Sequence, residues 1–298
     1  MKCLCCGKEL HTNLELDSLW HSSCVKKFFS TSKLPSIDLT TEALEELANS
    51  SIAKGYTIPG VQKKLSLHLS TKENNLRLTL VNYPTGYIFK PQTPEYSSLP
   101  EAEYLVMQMA RLVGIRTVPF ALVQMKSDNS LAYITKRIDR KIINNSVEKL
   151  AMEDFCQLEN RLTQDKYHSS YERCAKVIQR YSSYPGLDLV EFFLRIVFSF
   201  AVGNSDMHLK NFSLIETAHR SQEYKLSEAY DLLPVNTILP QDQEELALTL
   251  HGKKRNLGKN DFLAFAETCG INKKSAIKMI ASVTNKDCHL YTYPSPRD

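Results

Sequence analysis

The 298-residue sequence has no apolar run long enough to cross a membrane. Its most apolar stretch, Phe192 to Val202, is interrupted by Arg195 and is shorter than the roughly 20 residues that a spanning helix needs. The N-terminus, which begins Met1-Lys2-Cys3, lacks the apolar core of a secretory signal. We therefore expect a cytoplasmic protein that has no membrane partner.

A strong excess of charge of one sign is also absent. The chain carries 37 basic and 33 acidic residues, and its net charge of +4 argues against nucleic acid as the main partner. No internal repeat is visible. A hydrophobic fraction of 43% and a charged fraction of 23% are ordinary for a globular protein, and the length allows one large domain or two medium ones.

The eight cysteines are distributed unevenly, with four of them in the first 24 residues. In a cytoplasmic protein they should be reduced or bound to metal. Cys3 and Cys6 form a C-x2-C pair, and His21 and Cys24 form an H-x2-C pair after a spacer of 14 residues. This spacing predicts a closed Cys3His zinc site of structural type. The alternative is a set of unrelated cysteines near a terminus.

The apolar pattern predicts strands in the first half of the chain and helices in the second half. The predicted strands are 65–69, 76–80, 87–90, 118–123 and 131–135, and one helix starting at Thr40 or Thr41 precedes them. One predicted helix begins at Pro100 and has Leu105, Met109 and Leu112 on its apolar side. Further helices are predicted to begin at 153, 171, 188, 244 and 260. Asp188 is predicted to cap the long buried helix. Residues 25–37 are predicted to be a linker, and 141–150 a loop.

A glycine- and hydroxyl-rich segment precedes the first of these strands. It runs from Asn49 to Lys64, with the predicted phosphate-covering loop at 55–64, and lacks the Gly-Lys-Ser/Thr ending of a Walker A loop. The backbone N–H groups of such a loop can approach phosphate oxygens, and a lysine can add charge. An ordinary hairpin loop is the alternative. The residues predicted to contact phosphate are Gly60, Val61, Gln62, Lys63 and Lys64.

Two charged residues further along would complete a nucleotide site of the kinase type. Lys90 ends the predicted strand Tyr87–Lys90, and Glu103 lies in the helix that begins at Pro100. A strand lysine paired with a helix carboxylate fixes the nucleotide phosphates in protein kinases. Two independent surface charges are the alternative. Lys136 to Ile138 stand where a hinge between lobes would lie, although a charged strand end fits these residues equally well.

The segment after the most apolar helix carries the predicted reaction chemistry. Asp206 and Asn211 are five positions apart, and Asp231 follows later in the chain, after Tyr230. A carboxylate can accept a hydrogen bond from an attacking hydroxyl group, and amide and carboxylate oxygens are ligands of Mg²⁺. We expect Asp206 to be catalytic, Asn211 with Asp231 to bind Mg²⁺, and Tyr230 to belong to the cofactor-binding site. Lys210 would then contact the γ-phosphate, and His208 would orient the loop.

These motifs, taken in order, resemble the HipA-like bacterial toxin kinases. The catalytic-loop run is 204–213, and the further runs that resemble this family are 58–64, 88–91, 101–104, 137–140, 153–157 and 229–232. The resemblance implies an α+β, two-lobed protein-kinase-like fold. We therefore expect a zinc-knuckle-like segment at 1–30, a β-rich N-lobe at 31–140 and a helical C-lobe at 141–298.

The resemblance also implies an activity, a substrate and partners. The family members are ATP- and Mg²⁺-dependent serine/threonine protein kinases that act as toxins of type II toxin–antitoxin systems. They phosphorylate an aminoacyl-tRNA synthetase and so block translation, and nucleic acid would be contacted only through the antitoxin. They also autophosphorylate a hydroxyl in the Gly-rich loop, which Thr57 matches here, with Ser51 as a second candidate.

The chain departs from the full-length toxins in two ways. Little sequence precedes the Gly-rich loop. In this respect the chain resembles the HipT-like kinases, in which a separate small protein replaces an N-terminal subdomain. Lys136 stands where a hinge glutamate is expected, so nucleotide contacts at 136–138 should come from the backbone.

Two other functions are compatible with the residues. The same aspartates could serve a small-molecule kinase that acts on a sugar or an aminoglycoside. A zinc-containing nucleic-acid binder built on an inactive kinase fold is the non-enzymatic alternative. The mild net charge and the presence of Lys90, Asp206, Asn211 and Asp231 argue against this second alternative.

Overall fold

The computed structural model describes residues 1–37, 64–70, 77–79, 86–143 and 146–287. The chain forms two compact units: Met1–Tyr104 with Val118–Arg140, and Leu105–Thr117 with Lys141–Asp298. No helix in the described part of the chain is both long and apolar enough to span a membrane. The first unit is built on a sheet and the second is mostly helical, which confirms the predicted α+β class.

The first unit is organised around a six-stranded sheet. The strands are β1 (Ser36–Ile37), β2 (Leu65–Ser70), β3 (Arg77–Thr79), β4 (Tyr87–Lys90), β5 (Phe120–Gln124) and β6 (Leu131–Lys136). Their order is β1-β3-β2-β4-β6-β5, and every neighbouring pair is antiparallel except β1 with β3. Strand β4 is central, and its last residue, Lys90, lies opposite Tyr133 of β6.

Strand β4 alternates between the two faces of this sheet. Tyr87 and Phe89 belong to an apolar cluster that also contains Trp20, Phe28 and Phe29 from the N-terminal segment. Because successive side chains of a strand point to opposite faces, Lys90 belongs to the other face. The central strand therefore separates the N-terminal apolar cluster from the predicted nucleotide-binding lysine.

The N-terminal segment is part of the first unit and not a flexible lead-in. It contains α1 (Asn13–Ser18) and α2 (Ser22–Phe29). Phe28 and Phe29 are almost fully buried. The prediction of a linker at 25–37 is therefore wrong over its first residues, because the apolar residues Phe28 and Phe29 close a helix face against the sheet.

Helix α3 (Leu99–Leu112) follows β4 in the chain, as predicted from Pro100. The prediction of its apolar side is wrong for two of the three residues, because Leu105 and Leu112 are exposed. The buried side carries Glu103 together with Val106, Met107 and Ala110. The polar residue Glu103 thus occupies the middle of a buried stripe, which calls for a buried partner.

The second unit contains helices and two small groups of strands. Its further elements are β7 (Arg140–Ile143, which starts at the end of the first unit), β8 (Ser146–Lys149), β9 (Met152–Asp154), α4 (Phe155–Leu158), α5 (Tyr171–Tyr181), α6 (Pro185–Ala201), β10 (Ser213–Glu216), β11 (Tyr224–Leu226), α7 (Val235–Ile238), α8 (Lys259–Thr268) and α9 (Lys273–Asp287). Strand β10 lies between β9 and β11, and β7 pairs with β8. Aromatic rings of Phe155, Tyr171, Phe192 and Phe212 pack together around α6.

Three local predictions in this unit are wrong. Residues 141–150 contain most of the paired strands β7 and β8 and not only a loop. Asp188 lies in the first turn of α6, where Pro185 is at the N-terminus, and its buried carboxylate accepts hydrogen bonds from the Leu226 N–H and the Ser182 hydroxyl. Residues 244–250 form no helix. Their apolar residues are all buried, and a run that is buried all round has no period from which a helix can be read.

Candidate active site

The first unit brings Lys90 and Glu103 together as predicted. The Lys90 Nζ lies 2.5 Å from Glu103 Oε1, and both side chains are buried. The ammonium group also lies 5.3 Å from the centroid of the Tyr133 ring. Because removing two charges from water is costly, a buried ion pair needs close contact of this kind to persist. The contact fixes a lysine at the end of the central strand.

The predicted hinge residues lie at the end of β6. Lys136 is the last residue of the strand, and burial lowers the pKa of its amine. Ile138 lies in the turn that follows, and the neighbouring Arg137 donates its backbone N–H to Gly86 O. Asp139, in the same turn, accepts hydrogen bonds from Arg137 and Arg140. This network of charged hydrogen bonds within the turn was not expected from the sequence.

The Gly-rich loop falls outside the described residues, except for its last member. Lys64 is exposed and directly precedes β2. Gly60, Val61, Gln62 and Lys63 are outside the described ranges, and so are Thr57 and Ser51. Their predicted phosphate contacts and modification stay predictions, as does the helix at Thr40 or Thr41.

In the second unit, the predicted catalytic loop leaves α6 through a tight turn at Gly203. This glycine has φ +65°, and a Cβ at this position would lie 3.3 Å from Asn236 Cβ. Asn204 then returns its N–H to Ser199 O at 2.7 Å. A short 3₁₀ turn, Leu209–Asn211, ends the loop before β10. Left-handed backbone without a side chain thus lets the loop fold back on its helix.

Asp206 and Asn211 are linked across this loop. The Asn211 amide Nδ2 donates a hydrogen bond to the backbone O of Asp206, 3.0 Å away. An amide group has one donor end and one acceptor end, so this bond assigns Oδ1 of Asn211 as the end that can face a cation. The Asp206 N–H is in turn held by Asn204 Oδ1 at 3.3 Å.

The Asp206 carboxylate has a partner that sequence reasoning missed. The Tyr167 hydroxyl donates to Asp206 Oδ1 at 2.5 Å. Burial and the neighbouring Asp206 raise the pKa of Tyr167, which therefore stays protonated as a donor. Tyr167 lies 39 positions before Asp206 in an irregular segment, and no motif or spacing in the sequence signals the contact.

His208 is buried and neutral at physiological pH. Burial lowers its pKa from 6.5 to about 4, although the nearby Asp206 and Asp231 charges act in the opposite direction. Its ring packs edge-on against Tyr167, with centroids 5.1 Å apart. Its backbone carbonyl accepts the Asn211 N–H at 2.9 Å. His208 can therefore hold the loop in shape but cannot supply a positive charge to a phosphate.

Lys210 lies within the predicted catalytic loop, and the segment that carries Asp231 contacts it. The Lys210 Nζ is 2.7 Å from Asp154 Oδ2, at the end of β9. The Tyr230 hydroxyl donates to the backbone O of Lys210 at 3.2 Å and contacts the Ser213 hydroxyl at 2.6 Å. Asp231 follows directly with φ +62°, a left-handed conformation that aspartate adopts more readily than most residues. The structure thus anchors the Asp231 segment beside the catalytic loop.

The four predicted zinc ligands also come together, in the first unit. The Sγ atoms of Cys3, Cys6 and Cys24 and a ring nitrogen of His21 all lie within 4.8 Å of one another. We call these four residues the ligand cluster. The cysteines Cys156, Cys174 and Cys269 are buried and belong to the second unit.

Comparison with known proteins places these sites in a family context. The chain is 31% identical over 236 residues to "Putative kinase Y4dM" of Sinorhizobium fredii, covering 74% of this chain and 56% of that protein. It is 29% identical over 224 residues to "Putative kinase Y4mE" of the same organism, covering 72% of this chain and 51% of that protein. The chain therefore spans about half the length of these curated relatives.

The fold is similar to that of a solved toxin. HipA of Shewanella oneidensis, determined in a complex with HipB and operator DNA, aligns with a TM-score of 0.64 at 20% identity, covering 86% of this chain and 68% of that chain. The sequence model of the HipA-like C-terminal domain matches residues 56–288, which include β4, α3, the catalytic loop and Asp231. A match over most of the chain that contains both charged sites shows that the protein belongs to the family of HipA-like C-terminal domains.

Proposed function

We propose that this chain is an ATP- and Mg²⁺-dependent protein kinase that phosphorylates serine or threonine hydroxyl groups. The observation that carries the proposal is the geometry of Asp206 and Asn211. The Asn211 side-chain amide donates its hydrogen bond to the Asp206 backbone carbonyl. The Asp206 carboxylate accepts a hydrogen bond from a hydroxyl group, that of Tyr167. A substrate serine or threonine would present the same kind of donor.

The proposed division of labour follows from charge. Transfer of a phosphoryl group needs positioning of the nucleophile and neutralisation of the negative oxygens more than it needs covalent chemistry. Lys90, held by Glu103, would bind nucleotide phosphates. Asn211 and Asp231 would hold Mg²⁺, which neutralises phosphate charge. Asp206 would orient the attacking hydroxyl.

Lys210 and the hinge have subordinate roles in this proposal. Lys210 is paired with Asp154, so it would reach a γ-phosphate only by exchanging that carboxylate for the phosphate. The backbone of 136–138 would contact the base, with Gly60 to Lys64 at the phosphates. His208, neutral and packed against Tyr167, would keep the loop in place.

The substrate and partners are proposed from the family resemblance. We propose that the substrate is an aminoacyl-tRNA synthetase and that its phosphorylation inhibits translation. We also propose that the chain autophosphorylates at Thr57 or Ser51. A cognate antitoxin is supported by the similar Shewanella protein, whose structure includes HipB and operator DNA.

The test is phosphoryl transfer by Asp206→Asn. This change keeps the side-chain size but removes the charge that accepts the substrate proton. With γ-labelled ATP and bacterial lysate proteins, we expect transfer to fall about a hundredfold or more. Glu267→Gln, an exposed change on α8, is the matched control and should keep wild-type activity.

Two outcomes would contradict the proposal. Undiminished transfer by Asp206→Asn would remove Asp206 from the reaction. If the wild type labelled a sugar or aminoglycoside but no protein, itself included, the small-molecule kinase would be correct. Mass spectrometry of Thr57 and Ser51 in the same samples tests the autophosphorylation.

A further inference from the structure

The ligand cluster has the spacing of a tetrahedral metal site. Zinc–sulfur and zinc–nitrogen distances of about 2.3 Å and 2.0–2.1 Å put a thiolate sulfur about 3.6 Å from an imidazole nitrogen in a tetrahedral site. The His21 Nδ1 lies 3.4 Å from Cys6 Sγ and 3.9 Å from Cys24 Sγ. The observed distances bracket the expected value, so one ion can contact all these atoms with small adjustments.

The surrounding hydrogen bonds orient the ligands toward one point. The Nε2 of His21 lies 2.9 Å from the backbone O of Glu9, which holds the proton on Nε2 and leaves Nδ1 as the donor atom for a metal. The backbone N–H of His21 donates to Cys3 Sγ at 3.4 Å. Gly7, with φ +72°, turns the chain after Cys6 and donates its N–H to Cys3 O. A ligand histidine whose second nitrogen is fixed by a carbonyl is a common feature of zinc sites.

The same cluster is connected directly to the sheet. Leu4, between the first two ligands, accepts a hydrogen bond from the Leu122 N–H of β5 at 2.9 Å. His21 and Cys24 stand at the start of α2, whose last residues are Phe28 and Phe29. The cluster is therefore joined at one end to an edge strand of the sheet and at the other to a buried helix.

Helix α2 in turn holds the central strand. The rings of Phe28 and Phe29 lie 5.9 Å and 5.5 Å from that of Tyr87, and the Tyr87 hydroxyl donates to Phe28 O at 3.4 Å. Tyr87 is the first residue of β4 and Lys90 is the last. Only two residues, Ile88 and Phe89, thus separate the contact with α2 from the lysine that is paired with Glu103.

We propose that Cys3, Cys6, His21 and Cys24 bind a structural zinc ion and that this ion, through α2, fixes the position of β4 and Lys90. Four protein ligands leave no open position on the ion, so the role is structural and not catalytic. The N-terminal segment is small, and its buried core residues come mainly from the short helix α2. Such a segment gains much of its folding free energy from metal binding. Zinc binding itself is independent of the proposed kinase activity, whereas its effect on nucleotide binding rests on that activity.

The first experiment measures metal in the full-length protein purified without chelator. Elemental analysis should give about one zinc per chain for the wild type. Cys24→Ser should lower the zinc content to background. Cys5→Ser is the matched control, because Cys5 lies between the ligands in sequence but its thiol is not among the four; it should keep zinc. A folded wild type without zinc, or zinc retained by Cys24→Ser and lost by Cys5→Ser, would overturn the assignment.

A second measurement covers the case in which Cys24→Ser does not fold. Zinc is then removed from the wild type with a chromogenic chelator, which reports the amount released while thermal unfolding is followed. We expect release of about one zinc per chain together with a lower Tm, and recovery of the Tm when zinc is added back. Substitution with Co²⁺ should give the thiolate charge-transfer absorption of a tetrahedral site. Metal release with an unchanged Tm would refute a structural role.

The coupling to Lys90 is tested by nucleotide affinity in the same preparations. Chelation should weaken binding of ATP at a temperature where the second unit stays folded, and added zinc should restore it. Unchanged affinity after complete zinc release would overturn the coupling. If the zinc-loaded wild type binds no ATP, the proposed function fails, but zinc content and Tm still decide the metal site.

Discussion

Removing one charge of the Lys90–Glu103 pair should destabilise the first unit more than removing both. The two side chains are 4% and 0% exposed. In Lys90→Met the carboxylate of Glu103 stays in the interior without the cation that faces it, at a cost of about 3–5 kcal/mol. In the double variant Lys90→Met/Glu103→Leu no charge is left behind. Replacement of a buried pair by apolar residues of similar volume is often neutral, so the double variant should recover most of that loss.

Activity should not follow stability in this series. Both variants lack the lysine that would bind the nucleotide phosphates, so both should lose phosphoryl transfer even though the double variant is stable. The free energy of unfolding is measured by urea denaturation, and transfer is measured with labelled ATP. Lys126→Met, which changes an exposed lysine of the same unit, should stay within about 0.5 kcal/mol of the wild type.

Two results would refute this reasoning. Equal destabilisation of the single and double variants would mean that the cost comes from packing and not from loss of the cation that faces the Glu103 carboxylate. An active double variant would mean that Lys90 has no role at the phosphates. Because stability and activity are predicted to separate, a general loss of folding cannot imitate the expected pattern.

Two further predictions concern the catalytic loop. Tyr167→Phe removes the hydroxyl that donates a hydrogen bond to Asp206 Oδ1, and a hydrogen bond to a charged group contributes about 1.5 kcal/mol or more. We therefore expect kcat to fall about tenfold while KM for ATP changes little. An unchanged kcat would show that the contact is incidental. His208 has a folded-state pKa of about 4 against 6.5 when unfolded, so the unfolded chain binds the additional proton between these values and stability is lost as pH falls. Relative to His208→Gln, the wild type should lose about 3 kcal/mol between pH 7 and pH 4 in denaturant titrations, and parallel pH profiles would contradict a buried neutral imidazole.

The parts of the site that the sequence could predict are those in which chemistry and chain order coincide. Strand β4 was predicted with its observed bounds, because four residues between turn-forming segments leave little freedom in where a strand begins and ends. The pairing of Lys90 with Glu103 then followed from a strand that leads into a helix. Likewise, a spacing of two residues within each half of the ligand cluster is enough to predict that its members meet.

The parts that were missed depend on contacts between distant segments. Tyr167 reaches Asp206 from an irregular segment, and its side chain is itself partly exposed, so no local apolar pattern marks it. Lys210 was assigned to a phosphate, but its partner in the structure is Asp154, which lies 56 positions earlier. A sequence shows which groups could bind a charge, whereas the fold decides which oppositely charged group is in reach.

The apolar cluster formed with α2 and the Lys90–Glu103 pair lie on the two faces of strand β4. Tyr87 and Phe89 face the apolar cluster formed with α2, and Lys90 faces α3. The side chains on the two faces of a strand cannot be displaced independently, because they are attached alternately to the same backbone. Whatever holds α2 against Tyr87 therefore also limits where the Lys90 ammonium group can lie. For this reason the proposed metal near the N-terminus can affect the proposed nucleotide-binding lysine without contacting it.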